Sequence, residues 1–106
     1  MKVTAWKNGK HKALNTSYGL RITKDDRDRF FKKSWGSVFI SLPGKKVEAQ
    51  VNVKKASFWN DTCRQLISRE VKEWLVGNGY VPWPYRQPPK LQLIQKYDNH
   101  FELRRK

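Results

Sequence analysis

Two histidines, His11 and His100, and a single cysteine, Cys63, stand in this chain among 23 Lys and Arg, five Trp, five Phe and four Tyr. One thiol and two imidazoles far apart in sequence do not make a metal-ligand set of ordinary spacing, so no metal is expected. The six glycines, Gly9, Gly19, Gly36, Gly44, Gly77 and Gly79, match neither a dinucleotide fingerprint nor a P-loop, and no cofactor is expected. Cys63 falls on an apolar stripe, where a thiol is ordinarily a small inert hydrophobe. Nothing singles out Ser34, Ser37, Ser41, Ser57 or Ser68 as a nucleophile with a base and an acid beside it.

One reaction remains open to this inventory. Cleavage of RNA by its own 2′-hydroxyl needs only a general base, a general acid and cations for the charged phosphorane, and His11, His100, Tyr85, Arg86 and Arg104 are residues of those types. The more informative pattern is cations mixed with rings. Phosphate contacts are expected from Lys7, Lys10 and Lys12, from Lys32 and Lys33, from Lys45 and Lys46, from Lys54 and Lys55, and from Arg104, Arg105 and Lys106. Base stacking is expected from Phe39 and from Trp83 and Tyr85 with Arg86 beside them, although a helix covering Phe39 would make it core instead. The proline-loop rings have their own structural alternative, closing one end of the core.

Charge sets the partner class. Against the 23 cations stand nine Asp and Glu, a formal charge of +14, and self-repulsion of that size is relieved by a polyanion. The expected function is therefore non-catalytic binding of nucleic acid, DNA or RNA. The alternatives are a metal-free RNA-cleaving enzyme and a basic adaptor that docks an acidic protein. A lone cysteine excludes an intramolecular disulfide and fits a reducing cytoplasm, and the absence of a long apolar run leaves no targeting segment, anchor or membrane partner to expect.

At 106 residues the chain reads as one domain, residues 1–106, with enough apolar material for a single core. Asn8-Gly9 suggests a two-residue hairpin turn within residues 2–14. Residues 19–23 alternate like a strand, and Asp25 or Asp26 caps a helical turn running to Phe30 and Phe31, both expected in the core. A central hairpin runs from 36–42 through Pro43-Gly44 to 45–54; in its simplest register Ile40 faces Val47, Val38 faces Ala49 and Phe39 faces Glu48. Cys63, Leu66, Ile67, Val71, Trp74 and Leu75 recur at helical spacing, which predicts one long helix over 60–76, capped by Asn60 or Asp61 and stopped at Gly77-Asn78-Gly79. Residues 81–89 hold four prolines and must be loop, after which 91–97 and 100–104 read as strands around Asp98-Asn99. The architecture expected is α+β: a bent antiparallel sheet or small barrel of about six strands with one long helix.

Overall fold

The computed structural model of the chain describes residues 1–9, 16–60 and 64–105. It is an α+β fold built on a seven-stranded sheet in the order β4-β3-β7-β6-β1-β2-β5. The first strands, β1 (Lys2–Asn8) and β2 (Ser17–Arg21), form an antiparallel pair. Their register puts Asn8 opposite Ser17, so Gly9 to Thr16 connect them in place of the two-residue turn that Asn8-Gly9 suggests. Burial outweighs turn preference here: Tyr18 and Leu20 supply apolar side chains to the core beside Val3 and Ala5, and Lys10-His11-Lys12 offers no such pattern.

Helix α1 (Lys24–Phe30) follows. Its cap is Thr23, whose Oγ1 accepts from Asp26 N at 3.1 Å, so Asp25 and Asp26 sit in the first turn rather than at the cap. Phe31 is buried, while Phe30 only packs against the core from a half-exposed position.

The central hairpin joins β3 (Ser37–Ser41) to β4 (Ala49–Asn52). Pro43-Gly44 does turn the chain, with Lys45 N donating to Leu42 O at 3.0 Å. The register differs from the simple one, however: Ile40 pairs with Ala49, Val38 with Val51 and Phe39 with Gln50. Lys45 to Glu48 therefore lie in a wide loop, and Val47 is 81% exposed instead of core. A shift of two residues keeps every remaining side chain on its expected face, because strand side chains alternate with period two.

The long helix is absent. In its place come the one-turn helix α2 (Ala56–Trp59), the edge strand β5 (Gln65–Ile67) and the helix α3 (Arg69–Gly77). Asn60 ends α2, and Asp61 and Cys63 lie outside the described residues. The apolar spacing satisfies both readings, since Leu66 is buried as a strand residue opposite Leu20 and Val71, Trp74 and Leu75 are buried on α3. Ser68 decides between them: its Oγ accepts from Val71 N at 3.1 Å and starts a new helix there. The stop is as expected, with Asn78 as C-cap and Gly79 at φ +77°.

The last hairpin, β6 (Lys90–Tyr97) and β7 (His100–Arg105), is as the sequence indicates. It docks beside β3, and β3 and β7 run parallel, the one parallel pair in the described sheet. The sheet bends until β4 and β5 approach one another, yet no ladder joins them among the described residues, so it is open and not a barrel. The core fills its concave side, where α3 lies against β2. None of the described helices is long and apolar enough to cross a membrane.

Gly19 shows how closely β2 and β5 approach. A Cβ at this position would stand 2.7 Å from the Leu66 carbonyl oxygen and 3.0 Å from the Ile67 side chain, a contact that only backbone movement relieves. Gly19→Ala is expected to lower stability by about 1 to 3 kcal/mol, the range for overpacking. A lowered urea midpoint at unchanged slope is the result to look for, and wild-type stability would show that β5 gives way freely.

Candidate nucleic-acid interface

Alternation along the strands determines what the convex face displays. With Val3, Ala5, Leu20, Leu91, Leu93 and Leu103 directed into the core, Lys2, Thr4, Trp6, Arg21, Lys90, Gln92 and Arg104 take the opposite face. The registers align them in two cross-strand rows. Arg21, Thr4 and Lys90 are neighbours across β2, β1 and β6, and Lys2, Gln92 and Arg104 are neighbours across β1, β6 and β7.

One end of this face is closed by the proline loop, residues 81–89. Ala5 N donates to Pro89 O at 2.8 Å, which holds the loop beside β1. Between them opens a cleft of about 540 Å³ whose walls include Trp6, Trp83 and Tyr85, with Lys7, Arg21 and Arg86 as its cations. A second depression of about 300 Å³ shares Thr4 and Arg21 with the first and continues to Lys2, Lys24 and Arg64, with Asp26 its one acid among the described residues. Together the two depressions form one groove, aromatic at one end and basic along its length. Among the described residues no ion pair takes up Lys2, Arg21, Lys24 or Arg86.

Of the side chains expected from sequence to bind, the fold gathers Lys7, Trp83, Tyr85 and Arg86 at this cleft. The others are dispersed. Lys45 and Lys46 line a separate depression with Glu70 and Glu73 of α3. Lys33 and Lys54 flank Trp59 in a shallow hollow, and Lys32 and Lys55 lie in the same two connections. Arg104 donates to Glu102, and that bond, with the charges of Arg104 and Lys96, holds the Glu102 carboxyl below its ordinary value despite its partial desolvation. Arg105 reaches Asn78 and stands over Trp74. Lys10, Lys12, His11 and Lys106 lie outside the described residues.

Phe39 is on the convex side, away from α3, and is not part of the core. One face of its ring is already occupied: His100 stacks on it at 4.9 Å and 16°, and Tyr97 stacks on His100 at 4.6 Å and 19°. His100 Nδ1 also meets Glu48 Oε2 at 3.1 Å. Of the residues considered for RNA cleavage, the four that are described are not brought together, since Tyr85 and Arg86 line the cleft by β1 while His100 and Arg104 stand on β7, beyond β6.

Sequence reasoning passed over Trp6, Arg21, Lys2 and Lys24. The signal for the first three was present in the alternation of Lys2-Val3-Thr4-Ala5-Trp6 and Leu20-Arg21-Ile22, which makes them the outward members of each strand. Comparison with protein-family models, with curated proteins and with solved structures finds no match.

Proposed function

We propose that this chain is a nucleic-acid-binding domain that lays the polyanion along the groove between β1, β2 and the proline loop. The observation that carries this reading is the groove itself, in which Arg86, Lys7, Arg21, Lys2 and Lys24 are met, among the described residues, by Asp26 alone. Cations left without acid partners at one concave surface are what a chain of phosphates requires, because each contact releases condensed counterion. The net charge of +14 supports the same reading. We place the chain and its ligand in the cytoplasm, where a lone cysteine stays reduced.

Reversing charge inside the groove and removing it outside tests this. Arg21→Glu combined with Lys24→Glu should weaken binding of a fluorescent oligonucleotide by at least about tenfold, the equivalent of about 1.4 kcal/mol. Lys45→Ala with Lys46→Ala should change it far less, since Glu70 and Glu73 line the same depression. Fluorescence anisotropy reads both variants, with circular dichroism to check that they fold. Equal losses from the two pairs would place the grip elsewhere.

A further inference from the structure

We infer that the cleft between Trp6 and the proline loop receives an unpaired nucleobase, so that the domain selects single-stranded over duplex nucleic acid; this rests on the reading of the groove as a phosphate track. Trp6, Trp83 and Tyr85 line one concavity of about 540 Å³, a volume in the range of small-ligand pockets. A base inside a duplex has both faces covered by its neighbours. Only an unpaired base can present one to an aromatic wall.

The rings are held by different means. Trp83 packs edge-on against the buried Tyr18 at 5.9 Å and 73°, which anchors the loop wall. Trp6 stands across from Gly19, which has no side chain to cover it. Tyr85 is 82% exposed, so no folding requirement accounts for its ring. Along β1, Lys2, Thr4 and Trp6 follow one another at about 7 Å intervals on the same face. A strand laid along β1 thus meets a cation, a hydroxyl and a ring in succession.

Arg86 gives an independent indication. It lies in the turn closed by Gln87 N donating to Pro84 O at 2.9 Å, with φ at +59°, a position where glycine or asparagine is ordinarily favoured. Its guanidinium stands 5.1 Å from the centroid of the Tyr85 ring, at the cleft. A long charged side chain kept at a left-handed position is backbone strain retained at a binding rim.

Three probes decide the matter at one salt concentration: a single strand of about ten nucleotides, the same length of abasic strand, and the corresponding duplex. The single strand should bind at least about tenfold more tightly than the abasic strand or the duplex. Tyr85→Ala and Trp6→Ala should each weaken the single strand by about 5- to 150-fold and leave the abasic strand unchanged. Arg86→Gly should keep or raise thermal stability while weakening all three probes, which a merely structural role for the side chain would not produce. Equal binding of the base-bearing and abasic strands, or a folded Tyr85→Ala protein with wild-type affinity, overturns this inference and leaves the phosphate track standing. Failure of all three probes to bind overturns both.

Discussion

Trp74→Ala should lower the free energy of unfolding by about 3 to 5 kcal/mol, the usual result of truncating a large buried aromatic. The ring is 1% exposed and does three things at once. It fills core volume between α3 and the sheet, stacks on Tyr80 at 5.3 Å and 26°, and donates from Nε1 to Pro43 O at 2.8 Å across the β3–β4 turn. Trp74→Phe separates these contributions: it keeps most of the ring and loses the hydrogen bond, so the expected cost falls to about 1 to 3 kcal/mol. Lys72→Ala, two residues earlier and half exposed, should change stability by less than about 0.5 kcal/mol. Urea denaturation measures all three, and a Lys72 variant as damaged as the alanine variant of Trp74 would mean that α3 packs through another face.

The buried face of α3 is also where sequence reasoning was most dependable, for a physical reason. Val71, Trp74 and Leu75 follow helical spacing whether the helix begins at residue 60 or at Arg69, so the error in helix length left the inward residues unchanged. What the spacing cannot express is that β2 has an open edge. Leu66 serves equally as a helix residue or as the cross-strand partner of Leu20, and the ladder with β2 selects the second, with Ser68 restarting the helix. The same indifference explains the central hairpin, where a two-residue register change preserves both faces and alters only the loop that carries Lys46, Val47 and Glu48.

The candidate site was less legible because it depends on which elements become neighbours. Trp83, Tyr85 and Arg86 are conspicuous in the proline loop, but their partner wall comes from Trp6 on β1, more than seventy residues earlier in the chain. Lysine pairs at turns attract attention in the sequence for the same composition that the fold then disperses. Lys45 and Lys46 share a depression with the acids of α3, whereas the single cations Lys2, Arg21 and Lys24 converge. His100 is likewise absorbed into a stack with Phe39 and Tyr97 that no spacing rule indicates, because β3 and β7 become neighbours through a parallel pairing sixty residues apart.

The largest effect on binding should come from salt. If about five of the groove's cations contact phosphate, the affinity for a single strand should fall with a log–log slope near −3.5, or about a hundredfold between 50 and 200 mM salt. Removing Lys2, Arg21 and Lys24 together should make that slope shallower by about 2, since each lost contact removes about 0.7 from it for a single strand. Tyr85→Ala should lower affinity with the slope intact, because stacking releases no counterion. The two substitutions therefore act on different coordinates of one titration series, the slope reporting phosphates and the vertical displacement reporting the ring. A slope near zero in the wild-type protein would exclude a phosphate grip of any kind, and a wild-type slope in the triple variant would move the grip away from β1 and β2.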